Sequence, residues 1–114
     1  MERANTLPAV SVEIAATIVA DIILLDVRED DEWASGHAPT AVHIPMGDVP
    51  TRVDELDRAR RIVCACRSGN RSGRVTAWLR RQGFDAVNMT GGMQAWVDAG
   101  YRVVDDDGRP GAVI

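Results

Sequence analysis

Short apolar runs alternate with stretches of helical period along this chain. Ile22-Ile23-Leu24-Leu25 ends at Asp26, and Ala41-Val42-His43-Ile44 stops at Pro45. Ile62-Val63-Cys64-Ala65 and Ala86-Val87-Asn88-Met89 follow. Pro8 to Val10 reads as a short opening β segment, and Arg102-Val103-Val104 as an added edge. Runs this nearly continuously apolar suit strands covered on both faces. Helical patterns lie between them. Val12 to Val19 has Ser11 as N-cap, with Ile14 and Ile18 on one face. Glu29 to Ser35 is acidic at its start and ends at Gly36. Asp48 to Ala59 spaces Val49, Val53 and Leu56 by four and three. Ser72 to Gln82 aligns Val75, Trp78 and Leu79 before Gly83, and Gly92 to Ala99 carries Met93, Trp96 and Val97 before Gly100. The alternation predicts an α/β fold: a central parallel sheet of about five strands with helices on both faces. Ligands of such sheets bind beyond the carboxyl ends of the strands.

The chain has 114 residues, which suits one domain. We expect it over residues 1–104, with a polar C-terminal tail over 105–114 that starts at Asp105-Asp106-Asp107. A net charge of -4 argues against general nucleic-acid binding. The longest apolar runs are too short to span a bilayer. The start, Met1-Glu2-Arg3-Ala4-Asn5, does not read as a leader. The expected setting is therefore cytoplasmic and away from membranes, with Cys64 and Cys66 as thiols. Every basic residue is Arg, which we read as coding bias.

The candidate chemistry lies in Cys64-Ala65-Cys66-Arg67-Ser68-Gly69-Asn70-Arg71-Ser72-Gly73. Cys66 sits between a strand and a helix. Gly69 relaxes the backbone so that successive N–H groups turn inward as an anion nest, and the helix adds its positive end. Arg67 and Arg71 add two permanent charges. A free cysteine is only ~3% thiolate at pH 7. Lowering its pKa by about two units raises that fraction roughly 25-fold but costs about 6- to 10-fold in nucleophilicity. The larger benefit is electrostatic, in binding an anionic substrate and an anionic covalent intermediate. Cys64, among apolar neighbours, reads as a core thiol or as a redox partner of Cys66. With only His37 and His43 elsewhere, the two cysteines give no metal expectation.

These motifs resemble single-domain rhodanese-like sulfurtransferases. Leu25-Asp26-Val27-Arg28-Glu29 is similar to the family's first signature, and Gly36-His37-Ala38-Pro39-Thr40-Ala41-Val42-His43-Ile44-Pro45 to its second. Cys66 to Ser72 matches the active-site loop, and Gly91-Gly92-Met93-Gln94-Ala95-Trp96 the motif near the C-terminal end. The resemblance covers nearly the whole chain, with its motifs in the family's order. It implies that Cys66 attacks a small anionic sulfur donor such as thiosulfate and carries a persulfide. Cyanide, a thiol or a protein would then accept the sulfur, with no metal or organic cofactor. The amides of Arg67, Ser68, Gly69, Asn70, Arg71 and Ser72 would cradle the terminal sulfur. Arg67 would face incoming anions, and Arg71 would bind anions or brace the loop. A monomer or weak homodimer is expected. Cys64, Ala65 and Thr40 depart from common residues of the family.

Several supporting positions keep two readings. Asp26, Arg28 and Glu29 either position Arg71 and the loop through ion pairs or form a surface strand end. His37 is either a general base or a hydrogen-bonded turn residue. Trp33, Trp78 and Trp96 pack helices on the sheet, with Trp33 the candidate pocket wall. Rival functions are a cysteine-based phosphatase or arsenate reductase, a persulfide carrier, and a regulatory binding module. The related phosphatases need one more loop residue than the four between Cys66 and Arg71.

Overall fold

The structure, a computed structural model, describes residues 7–114. The expectation placed on Met1 to Asn5 lies outside the described residues. Among the described residues, five strands form one sheet: β1 Ala9–Val10, β2 Ile23–Asp26, β3 Val42–His43, β4 Ile62–Ala65 and β5 Ala86–Met89. Their order is β1-β5-β4-β2-β3, and every pairing is parallel. The helices are α1 Val12–Ile18, α2 Asp30–Ser35, α3 Val49–Arg52, α4 Asn70–Arg81 and α5 Gly92–Asp98.

Strand alternation divides the core into two layers. Ile23, Leu25, Ile62, Cys64 and Ala86 face Val49 of α3 and Val75 and Leu79 of α4. Leu24, Val63, Ala65, Val87 and Met89 face Val12 and Ala15 of α1 and Met93 and Trp96 of α5. Helices therefore cover both faces, as the apolar runs predict. Cys66 continues the row begun by Ile62 and Cys64, so its side chain falls on the α4 side.

Four details differ from the sequence reading. α1 is capped by Ser11 as expected, but it buries Val12 and Ala15 and leaves Ile14 52% exposed. The segment expected as one helix from Asp48 to Ala59 is broken into short turns of 3-10 helix at Met46–Asp48 and Val53–Glu55, flanking α3. Val49 and Leu56 are still buried. Arg102 to Val104 adds no strand to the sheet; Val104 instead makes isolated antiparallel bridges to His37 and Pro110. Residues 105–114 turn back on the domain: the Asp105 N–H donates to the Arg109 carbonyl, the Gly111 N–H to Val103, and the Ala112 N–H to Ser35 at 2.8 Å. Backbone hydrogen bonds hold this segment, and Val113 packs partly buried against the α1–α5 core layer.

Candidate active site

The loop after β4 encloses the Cys66 sulfur. Gly69 adopts φ +106°, a conformation glycine takes at little cost, and opens α4 at Asn70, two residues before the expected start. The Gly69 N–H donates to Cys66 Sγ at 3.1 Å, and the Ser72 hydroxyl lies 3.3 Å from it. Cys66 is only 1% exposed, while Arg67, Ser68 and Asn70 form the exposed outer side of the loop. Burial pushes the Cys66 thiol up. Hydrogen bonds from the Ser72 hydroxyl and from the amides of Ser72, Gly69 and Ser68 outweigh it and hold the thiol below its ordinary value.

The glycine pair after β5 closes the loop from beneath. The Met93 N–H donates to the Cys66 carbonyl at 2.8 Å, and the Gln94 N–H to that of Arg67 at 2.9 Å. A Cβ on Gly92 would overlap the Cys66 carbonyl oxygen and lie 2.6 Å from that of Arg67. Gly92 also sits at φ +62°. Only glycine permits so close a backbone approach.

Arg71 is gripped by Glu32 of α2 through two short contacts, 2.6 and 2.8 Å. This fork-to-fork pair ties the Cys66 loop to α2 across the sheet end. The Arg71 hydrogen bonds hold the Glu32 carboxyl well down, at about 2 against an ordinary 4.5. Glu32 therefore stabilises the fold fully above pH 4.5, and that contribution is lost as pH falls toward about 2. Glu32→Gln should remove this dependence: urea unfolding between pH 5 and pH 2.5 should weaken the wild type more steeply than the variant. Equal slopes would show that the pair contributes nothing.

Asp26 and Arg28 do not contact Arg71. They pair with each other at 2.7 Å and are 1% and 0% exposed. Arg28 Nη2 also donates to the Gly36 carbonyl at 2.8 Å. Glu29 is the N-cap of α2, in a capping box with Glu32. Of the three acidic and basic residues expected to support the loop, then, none reaches it directly, and Arg28 acts on the α2 backbone.

His37 lies in the isolated antiparallel bridge with Val104, just after α2. Its Nδ1 donates to the Trp33 carbonyl at 2.7 Å, and its ring stacks on Trp33 at 3.5 Å. His43 stacks on Trp33 as well and donates through Nε2 to the Arg28 carbonyl. Both imidazoles thus stack parallel to the Trp33 indole of α2. Trp78, with Met46, Val49, Pro50, Arg74 and Val75, lines a shallow groove of about 160 Å³ on the α3–α4 side. Cys64 is a free, fully buried thiol beneath Cys66, and burial pushes it up to about 12. It is held neutral, as a core thiol should be.

Glu32 and Asn88 complete the site without having been singled out, whereas Gly92 belongs to the Gly91-to-Trp96 motif. The Glu-x-x-Glu spacing of the α2 capping box was one visible signal for Glu32.

Comparison with known proteins gives one consistent result. The sequence model of the Rhodanese-like domain matches residues 12–99. "Putative sulfurtransferase YtwF" of Bacillus subtilis is 51% identical over 76 residues, covering 67% of this chain and 74% of that protein. A "Sulfurtransferase" of Allochromatium vinosum is 39% identical over 89 residues, covering 77% and 83%. The crystal structure of a rhodanese-related protein from Thermoplasma volcanium superposes with a TM-score of 0.82 at 28% identity, covering 85% of this chain and 97% of that one.

Proposed function

This chain belongs to the rhodanese-like domain family, and on that footing we propose that it transfers sulfane sulfur through a persulfide on Cys66. The observation that carries the reading is the setting of the sulfur, which is nearly buried yet faced by hydrogen-bond donors of its own loop. In the first step the Cys66 thiolate bonds to the outer sulfur of thiosulfate. The sulfur–sulfur bond of the donor breaks, and its electron pair leaves with sulfite. In the second step cyanide, a thiolate or a protein thiolate bonds to the terminal sulfur, and the electron pair returns to Cys66. Amides from Arg67 to Ser72 hold the charge of the terminal sulfur between the two steps. Arg71, engaged by Glu32, braces the loop. Four residues between Cys66 and Arg71 suit a single sulfur better than a tetrahedral oxyanion.

Intact mass tests this reading. Brief incubation with thiosulfate should add one sulfur atom, and cyanide should remove it. No gain in mass, with turnover of an aryl phosphate or arsenate, would replace the reading with an oxyanion enzyme.

Arg67 should select for charge. It is exposed at the rim, where its field acts on an arriving anion. Arg67→Ala should raise KM for thiosulfate about three- to tenfold at low salt and much less at high salt. Steady-state kinetics with an anionic and a neutral donor checks this; equal losses for both would show that Arg67 does not act through charge.

A further inference from the structure

Ser72 has one hydroxyl proton and two neighbours that compete for it. Its Oγ lies 3.3 Å from Cys66 Sγ and 2.6 Å from Asn88 Oδ1. The Asn88 amide cannot turn over freely, because its Nδ2 donates to the Gly69 carbonyl at 3.0 Å. The oxygen is therefore fixed toward Ser72. An amide oxygen has no proton to give, so the short contact is Ser72 O–H donating to Asn88. The register of the sheet explains the placement: Asn88 of β5 pairs with Cys64 of β4, on the face toward α4.

We propose that Asn88 is a positioning residue that competes with the Cys66 sulfur for the Ser72 hydroxyl proton. This deepens the proposed function and rests on Cys66 being the reacting sulfur. While the sulfur is a neutral thiol, its S–H faces the Ser72 oxygen and the Ser72 proton sits on Asn88. When the thiol ionises, its proton leaves to solvent and the Ser72 hydroxyl turns to the thiolate, leaving Asn88 Oδ1 without it. In the persulfide the inner sulfur is uncharged, and the hydroxyl turns back to Asn88. When an acceptor takes the outer sulfur, the bond between the two sulfurs breaks and its electron pair stays on Cys66. The hydroxyl then swings to that thiolate as it departs. Asn88 thus sets how strongly Ser72 supports the thiolate, without touching the reacting atoms.

The charged groups around the network are Arg67 in the loop, Arg71 on α4 and Glu32 on α2, with the neutral Cys64 on β4. Substitution at Asn88 or Ser72 alters none of them. A double-mutant cycle isolates the competition. The pH dependence of Cys66 alkylation by iodoacetamide, a neutral reagent, is followed by intact mass in the wild type, Asn88→Ala, Ser72→Ala and the double variant. Cys66→Ser serves as the blank for Cys64. Loss of the Gly69 contact is common to both Asn88 comparisons and cancels. Asn88→Ala should raise the thiolate-to-thiol ratio about fivefold more with Ser72 present than with Ser72→Ala, the scale of one hydrogen bond. No difference, or one of opposite sign, overturns the proposal.

If Asn88→Ala does not fold, the wild type gives the same answer. The Asn88 side-chain ¹⁵N resonance should shift as Cys66 ionises, and should stay fixed through that range in Cys66→Ser. A resonance that does not respond in the wild type overturns the proposal. Neither readout needs sulfur transfer, so failure here is distinct from absence of a mass gain with thiosulfate.

Discussion

Cys66→Ser will lose sulfur transfer, by at least about 10³-fold in kcat/KM, the scale on which removal of a covalent nucleophile acts. The protein will take up no sulfur from thiosulfate by intact mass. Serine presents an oxygen to the Gly69 N–H and the Ser72 hydroxyl in place of the sulfur, but it does not ionise near neutral pH. The same donors therefore have no anion to hold, and no bond to sulfur forms. The fold should survive, because a buried, smaller polar atom that still meets these donors costs only about 1 kcal/mol. Thermal unfolding would check that. Retained turnover in this variant would end the persulfide reading, and so would a mass gain that moved to Cys64.

The second large effect is on stability. Arg28→Ala should cost about 3–5 kcal/mol, measured by urea unfolding at pH 7. The guanidinium is fully buried and contacts both carboxylate oxygens of Asp26 at 3.0 and 2.7 Å, with a further bond to the Gly36 carbonyl. Removing it leaves Asp26 buried, charged and without its counter-charge. Removing both members, as Asp26→Leu with Arg28→Met, should recover much of the loss, since neither charge is then stranded. A loss below about 1 kcal/mol for Arg28→Ala would place the pair with ordinary surface ion pairs. The consequence for the site is indirect. Arg28 anchors the far end of α2 through Gly36, α2 carries Glu32, and Glu32 holds Arg71.

Strands and site were legible in the sequence to different degrees. β4 and β5 were read to their ends because β4 is an unbroken apolar run and β5 is interrupted only by Asn88. The Cys66 loop was legible because its chemistry is local: cysteine, arginines and glycine within a few residues. Ile14 misled because periodicity marks large apolar residues, whereas the buried face of α1 uses the small Ala15, which gives little signal. The break after α3 was hidden for a related reason. Val53 and Leu56 stand three apart, and a turn of 3-10 helix aligns such residues as well as an α-helix does. Glu32 and Asn88 were missed because their partners Arg71 and Ser72 lie 39 and 16 residues away. Such pairings exist only once the sheet order brings the strand ends together. Asp26 and Arg28, by contrast, were visible as charges, but nothing in their spacing said that they would satisfy each other.

The Arg67 Nε donates to the Ile114 carbonyl at 3.0 Å, which leaves the last residue of this sequence at the rim of the Cys66 loop. Any polypeptide joined after Ile114 would begin there. An acceptor thiol carried on a short flexible fusion at that point would meet the Cys66 loop at an effective concentration in the millimolar range, whatever its affinity in free solution. Residues attached after Ile114 would likewise crowd the approach of the donor.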